Sequence, residues 1–226
     1  MRYRFAVPAV IAFFALGAVA LAATVFTQAK PGEFDPAKSN LVQAAWMQGI
    51  GCPTLQAFNN ANTGTTDMYA DSACPTGDPK DGHNEGLLLA KTGPTANNAS
   101  AVVQLTDVKG ITLTELGYDI RKSGAITASP LGSHCGAGAP RFNVVTATGT
   151  TFIGCNSPPP MVTAFSQGWE RLRWNTGLPL DPVQAIFIIF DEGQDVGGGP
   201  DSFGASILDN IDVNGKLVGH GATDAS

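Results

Sequence analysis

Short apolar runs, separated by Gly, Pro, Asn and Ser, recur along the chain after its N-terminal segment. Apolar positions rarely recur at helical spacing, so the pattern predicts β-strands and few helices. Several short strands joined by turns are typical of a β-sandwich or barrel. We therefore expect an all-β antiparallel fold of about eight strands, at 86–91, 100–105, 111–122, 141–146, 151–155, 169–174, 185–190 and 205–213.

The pattern between these strands is less decisive. The 39–49 stretch could form a short helix capped by Ser39 or a strand with alternate apolar side chains on one face. The almost wholly polar stretch at 59–84 predicts a long loop. A Gly-containing turn at 147–149, between two predicted strands, indicates a β-hairpin.

The N-terminal segment has the order of a secretory signal peptide, with arginines, an uncharged apolar run and then alanines in an Ala-x-Ala pattern. We expect residues 1–22 to be cleaved and residues 23–226 to form a single domain, since no repeat or linker divides them. The alternative is an uncleaved anchor, because the apolar run from 5 to 26 is long enough to span a bilayer. Either interpretation predicts a domain outside the cytoplasm, secreted or in the cell envelope.

The net charge of the mature chain limits the classes of molecule that it is expected to bind. Loss of residues 1–22 removes two arginines and no acid, so the formal net charge changes from −6 to −8. A domain this acidic is a poor candidate for binding nucleic acid or anionic lipid. We therefore expect no nucleic-acid partner and no membrane contact beyond the export signal.

Four cysteines in an exported chain predict two disulfides. Three connectivities are possible, and we prefer Cys52–Cys74 and Cys135–Cys155 because each pair joins neighbours in sequence. A closed loop of about 20 residues stabilises by roughly 3 kcal/mol in the chain-entropy model. Zinc is the rival use, but the wide spacings lack a Cys-x-x-Cys pair.

The stretch at 190–215 holds six carboxylates, and no Lys or Arg occurs between Arg173 and Lys216. Strand alternation places Asp209 on the same face as aliphatic neighbours such as Ile211. A carboxylate on a buried face is costly unless it is paired, hydrogen-bonded or bound to a metal. The candidate partners are a distant arginine such as Arg141 or a calcium ion.

Calcium binds several oxygen ligands, which acidic Gly-rich loops can bring together. Asp191, Glu192, Asp195 and Asp201 lie in such a loop, which leads back towards Asp209. These five residues are candidate ligands of a structural calcium ion. Their spacing matches no EF-hand, and the alternative is a solvated acidic loop that keeps the protein soluble.

A second candidate site lies in "WERLRW" (169–174). Alternation places Trp169, Arg171 and Arg173 on one face, towards solvent or the edge of the other sheet, and Leu172 and Trp174 towards the core. An indole beside two guanidinium groups can stack on a sugar ring and pair with carboxylate or sulfate. The three residues are therefore candidate ligand-binding residues. The alternative is a tryptophan that plugs the end of a sandwich under packed arginines.

The segment "SILDNIDVNG" (206–215) places an Asp-Asn-Ile core in the last long strand, after an apolar strand and an acidic Gly-rich loop. This order resembles the closing strand of galactose-binding-like jelly-roll domains, of the kind found in carbohydrate-binding modules. The resemblance covers roughly the last third of the chain. It implies a jelly-roll sandwich and, in many relatives, a structural calcium ion.

Sequence motifs for catalysis are absent. The three histidines lack the spacing of metal ligands, no Gly-x-Ser-x-Gly occurs, and "GGGPDSFG" lacks the Lys of a phosphate loop. We expect a non-catalytic binding domain, and the resemblance implies extracellular or cell-envelope carbohydrate as its ligand. One alternative is a structural or adhesive surface protein without a small ligand. The other is a carbohydrate-active hydrolase or lyase that uses the acids of 191–201.

Overall fold

The computed structural model describes residues 26–95, 98–122, 139–154, 158–166, 168–191 and 204–222, which form β-strands and no α-helix. No helix that could cross a membrane is therefore found in these ranges. The strands are β1 (Ala29–Phe34), β2 (Val42–Met47), β3 (Gln56–Asn60), β4 (Thr65–Tyr69), β5 (Gly86–Lys91), β6 (Ser100–Leu105), β7 (Leu116–Lys122), β8 (Arg141–Thr146), β9 (Thr150–Ile153), β10 (Met161–Phe165), β11 (Glu170–Trp174), β12 (Val183–Phe190), β13 (Gly204–Val213) and β14 (Lys216–Val218).

The strands form two facing antiparallel sheets and a separate hairpin. The five-stranded sheet has the order β1-β6-β12-β8-β9, and the seven-stranded sheet has the order β10-β11-β7-β13-β5-β2, with β14 paired to β13. Successive strands from β5 to β8, and again from β11 to β13, alternate between the sheets. These crossovers give a jelly roll rather than a stack of hairpins. The predicted all-β antiparallel jelly-roll sandwich is confirmed.

Alternate side chains of both sheets meet in an apolar core. The ring of Tyr118 lies 5.4 Å from that of Phe142 in the facing sheet and 5.2 Å from that of Trp174. The Tyr118 hydroxyl donates to the carbonyl of Pro140 at 2.7 Å, which satisfies its polar end inside the core. The inner faces of the two sheets are thus committed to this core, so a site on the described strands has to use an outer face or the hairpin.

All eight predicted strands are present, although β7 begins at Leu116 rather than at residue 111. The ambiguous 39–49 segment forms strand β2, with Val42 buried and the rings and methyls of Trp46 and Ala44 packed against the core. The predicted hairpin joins β8 to β9.

The stretch at 59–84, predicted as a loop, contains the end of β3 and all of β4. The prediction of a loop is therefore wrong. The two strands were missed because the β3–β4 hairpin packs its faces against neither sheet. Four of five residues in β4 and three of five in β3 are exposed, so the sequence shows none of the apolar alternation that marks a core strand.

The disulfide predicted between Cys52 and Cys74 is confirmed. Both cysteines are buried on the outer side of the seven-stranded sheet, where Ala73 and Trp169 pack against them. The bond holds the chain on either side of the β3–β4 hairpin, around Cys52 and from Ala73 to Thr76, over that sheet. Cys135 and Cys155 lie outside the described residues, as does the predicted signal peptide, so both of those assignments stay predictions.

Strand β13 contains an irregularity that decides where Asp209 points. Its register against β7 shifts between Asp209 and Asp212, and Asn210 has a left-handed φ of 45°. Leu208 and Ile211 on either side of this bulge both lie in the core. The prediction that Asp209 shares a face with Ile211 is therefore wrong, because a bulge resets the alternation of the strand.

We expect replacement of Cys52 and Cys74 by alanine to lower the free energy of unfolding by roughly 3 kcal/mol, because the unfolded chain would lose a closed loop of about 20 residues. Urea denaturation of the mature chain measures the change. A digest of the wild type without reduction should recover Cys52 linked to Cys74 and Cys135 linked to Cys155. Recovery of Cys52 linked to Cys135 would contradict the connectivity.

Candidate functional site

The outer face of the five-stranded sheet carries a groove of ≈ 770 Å³. Outward-facing side chains of β1, β6, β8 and β12 form its floor, because they alternate with the core residues along each strand. We call this the outer groove. Its lining includes Phe34, Gln104, Arg141, Asn143, Phe187 and Asp191.

One row of side chains crosses the sheet along this groove and continues beyond its lining to Phe152 on β9. The register places Lys30 beside Gln104, Gln104 beside Phe187, Phe187 beside Asn143, and Asn143 beside Phe152. After Lys30 the row alternates amide, aromatic, amide and aromatic groups. Neighbouring strands lie about 4.8 Å apart, so a row across five strands is roughly 19 Å long.

An ion pair fixes one side of the groove. Arg141 donates from Nη1 and Nη2 to Oδ1 and Oδ2 of Asp191, each at 2.6 Å. The Asp191 carbonyl also accepts from the buried Lys91 ammonium at 2.9 Å. A bidentate pair of this kind fixes the orientation of both side chains, and so the directions of the remaining N–H groups of Arg141 and the remaining lone pairs of Asp191. Arg141, which we considered from the sequence as a partner for Asp209, is therefore paired with Asp191.

One polar atom in the groove floor lacks a partner. Asn143 Oδ1 is buried and accepts no hydrogen bond from the described part of the chain. Buried acceptors without a donor are uncommon in folded proteins. Because this oxygen has almost no exposed surface, the Asn143 amide would have to turn outward to accept a hydrogen bond from a hydroxyl or water in the groove.

The predicted ligand-binding residues lie elsewhere and are covered. The exposed fractions of Trp169, Arg171 and Arg173 are 3%, 6% and 5%. They face outward from the seven-stranded sheet, but the segment tethered by Cys52–Cys74 lies over them. The expectation that this face is open to solvent or to a sheet edge is wrong, because that segment excludes water from it.

Beneath this segment the two arginines neutralise two aspartates. Arg171 donates from Nε and Nη2 to Oδ1 and Oδ2 of Asp119, at 2.7 and 2.8 Å. Arg173 Nε lies 3.0 Å from Asp212 Oδ2. Arg171 also donates to the hydroxyl and carbonyl of Thr76 in the covering segment. Bidentate pairing of this kind makes burial of both charges tolerable.

Asp209 lies opposite Asp119 in the register and is fully buried. Its Oδ2 accepts from the Cys52 N–H at 2.7 Å, and its Oδ1 accepts from the Asn210 N–H at 2.5 Å. Burial, followed by the Asp119 carboxylate, holds the pKa of Asp209 well above its usual range. Asn210 links Asp119 to Asp78. Its side-chain amide donates to Asp119 at 2.9 Å and accepts from the Asp78 N–H at 2.8 Å.

Of the predicted calcium ligands, the structure describes Asp191 and Asp209 and does not bring these two together. Asp191 lies on the outer face of one sheet and Asp209 on the outer face of the other, so the two cannot share an ion. Each Asp209 oxygen accepts one backbone hydrogen bond. Glu192, Asp195 and Asp201 lie outside the described residues, and a calcium site in their loop stays a prediction.

Sequence reasoning missed the outer groove and Asp119. The groove residues come from strands far apart in the chain, and Phe187 is inconspicuous within the continuous apolar run of β12. The one signal in the sequence is the alternation of side chains along a strand. It identifies Gln104, Asn143 and Phe187 as outward-facing once the core positions of their strands are known.

We expect Arg171→Met to lower the free energy of unfolding by about 3 kcal/mol, because it removes both short charged hydrogen bonds of the buried Asp119 carboxylate and leaves it only Arg173 Nη1, at 3.8 Å, as a charged partner among the described residues. Arg121→Met, at the next outward position of β7, alters an exposed side chain and should change stability by less than about 0.5 kcal/mol. A double variant, Arg171→Met with Asp119→Leu, should recover most of the loss. Purely additive effects in urea denaturation would contradict the pairing.

Stability should also depend on pH. Burial is the largest of the effects that raise the pKa values of Asp81 and Asp212 to about 6. Because these pKa values are higher in the folded than in the unfolded chain, their contribution is complete below about pH 4 and is lost as the pH rises through about 6. The free energy of unfolding should fall over this range.

The control for the pH dependence is Asp81→Asn, which keeps an acceptor for the Glu85 N–H, now bound at 2.8 Å. This variant should reduce the slope of unfolding free energy against pH by about one proton. Urea titrations at several pH values measure both slopes. A free energy of unfolding that rises between about pH 4 and pH 7 would contradict the assignment.

Comparison with known proteins gives a single fold-level finding. No family model matches the sequence, and no curated protein matches it. Among solved structures, the chain is similar to a family 11 carbohydrate-binding module from Clostridium thermocellum in complex with a β-1,3-1,4-mixed-linked tetrasaccharide. The identity is 12%, the match covers 84% of this chain and 89% of that chain, and the TM-score is 0.38. The fold assignment rests on the strand order, independently of this similarity.

Proposed function

We propose that this protein is a non-catalytic binding domain that holds an extended, uncharged polysaccharide in the outer groove. The observation that carries the proposal is the row in which Gln104, Phe187, Asn143 and Phe152 alternate across the sheet. Aromatic rings take up the apolar faces of sugar rings, and amides exchange hydrogen bonds with sugar hydroxyls. A linear chain of sugars presents both kinds of surface at regular intervals.

The unpartnered acceptor supports this ligand class. Asn143 Oδ1 sits between the rings of Phe187 and Phe152 in the row and has no donor among the described residues. A sugar hydroxyl bound there would donate the missing hydrogen bond, so binding would remove the cost of a buried unsatisfied atom. A purely apolar ligand would leave that cost in place.

The charges of the groove support an uncharged ligand. Its lining contains two cations, Lys30 and Arg141, and two acids, Glu33 and Asp191. The Arg141–Asp191 pair is internally neutralised, and the chain as a whole is acidic. Neither the groove nor the surrounding field favours a polyanionic glycan.

Export is part of the same proposal. The Cys52–Cys74 disulfide persists in oxidising compartments, and the N-terminal sequence has the order of a signal peptide. We therefore place the ligand among extracellular or cell-envelope polysaccharides.

One observation favours a second candidate, a structural or adhesive surface protein without a small ligand. Trp169 is buried, as that alternative requires. The alternative also requires that no aromatic platform exist, whereas Phe34 and Phe152 on the five-stranded sheet are 53% and 59% exposed. The hydrolase alternative depends on acids at 192–201, outside the described residues, and on Asp191, which Arg141 engages at both oxygens.

We expect the mature chain to bind at least one neutral polysaccharide in a soluble panel, measured by calorimetry. Phe187→Ala and Asn143→Ala should each weaken that binding about tenfold, or roughly 1.4 kcal/mol, because each removes one contact of the row. The matched control is Phe165→Ala, which alters a ring that is 60% exposed on β10 of the other sheet.

Thermal unfolding of each variant separates lost contacts from lost folding. Retention of full affinity by both groove variants, or loss of affinity in Phe165→Ala alone, would contradict the location of the site. Absence of saturable binding across the panel would favour the structural alternative.

A further inference from the structure

The β3–β4 hairpin stands apart from both sheets. Within the described chain β3 pairs with β4 alone, in an unbroken register from Gln56–Tyr69 to Asn60–Thr65. Large apolar side chains on it are open to solvent, with Phe58 46%, Met68 59% and Tyr69 54% exposed. A lone two-stranded hairpin is only marginally stable in water, so these side chains suit further pairing.

The free edge of β3 lacks the features by which proteins block strand pairing. Its sequence, "QAFNN", contains no charge, no proline and no glycine. Its register has no bulge, whereas β10, an edge of the seven-stranded sheet, has a register shift between Val162 and Ala164. An unprotected edge offers its backbone N–H and C=O groups to another extended strand.

We propose that β3 pairs antiparallel with β3 of a second copy of this chain, about a two-fold axis through Phe58. This pairing sets Phe58 opposite Phe58 of the second copy. It also sets Gln56 opposite Asn60 and Ala57 opposite Asn59. Aromatic pairs directly opposite one another are favourable in antiparallel sheets, and amide pairs exchange hydrogen bonds. The product is a four-stranded sheet of the order β4-β3-β3-β4.

The other pairings of the hairpin are disfavoured. A two-fold pairing of β4 with β4 sets Asp67 opposite Asp67, because Asp67 is the central residue of that strand, and like charges directly opposite are destabilising. A pairing of β3 with β4 of the next copy is head-to-tail, so it would continue into a ring or a fibre and would not stop at a dimer. Charge and symmetry therefore both select β3 with β3.

The contact is small, with five residues from each copy, so the dimer is weak and depends on concentration. It does not depend on the polysaccharide proposal, because no hairpin residue lines the outer groove. The test below measures mass rather than binding, and its failure would leave the groove proposal unchanged.

Sedimentation velocity over a concentration series should show the mature wild type passing from monomer to dimer. Phe58→Lys and Phe58→Glu should each remain monomeric, because each sets like charges at the two-fold axis. An equimolar mixture of the two variants should recover the dimer, which excludes misfolding as the cause. The control is Phe165→Lys, at an exposed ring on β10, which should dimerise as the wild type does.

A cross-linking variant gives a second readout. Residues directly opposite in antiparallel strands have Cβ atoms about 5 Å apart, so Phe58→Cys should form an intermolecular disulfide under mild oxidation. Met68→Cys lies on the opposite face of the hairpin and should not. A wild type that stays monomeric to its solubility limit, a dimer that survives Phe58→Lys, or open-ended assemblies would each overturn the proposal.

Discussion

The apolar layer between the two sheets uses every second side chain of the strands that enclose it, and the rest of the structure follows from that constraint. Tyr118, Phe142 and Trp174 meet there at ring distances of 5.2–5.8 Å. The remaining side chains must point outward, where their surroundings differ between the two sheets. The five-stranded sheet leaves its outer face open as a groove, whereas the seven-stranded sheet has its outer face covered around Arg171 and Asp209.

The covered face explains how this chain accommodates several buried charges. The Cys52–Cys74 bond holds a segment over Asp119 and Asp209, and Arg171 bridges from the sheet to Thr76 in that segment. Each carboxylate oxygen of Asp209 accepts a backbone N–H. Burial of charge without such partners would cost several kcal/mol, so the segment and the polar network depend on each other. The covered face therefore has a structural role, whereas the outer groove stays open to solvent.

The strands that were predictable from sequence are those with a core-facing side, such as β5, β8 and β12, because apolar alternation reports burial. The β3–β4 hairpin was missed because most of its residues are exposed and it packs on neither sheet. The bulge at Asp209 was missed because it is a property of two paired strands. The Asp119–Arg171 pair joins residues 52 apart in sequence, and the groove joins four strands, so neither has a local motif. The acidic stretch at 190–215 supplies Asp209 and Asp212 to this polar network.

A polysaccharide that binds in the outer groove should change the surroundings of the backbone amides in the strands beneath it. The most direct test is a titration of the isotope-labelled mature chain with the tightest-binding neutral oligosaccharide, followed by amide chemical shifts. The changes in chemical shift should concentrate on the strands of the groove, around Gln104, Asn143 and Phe187. The amide shifts of Arg171 and its neighbours should stay unchanged. Shifts confined to the hairpin or to the face around Arg171 would contradict it.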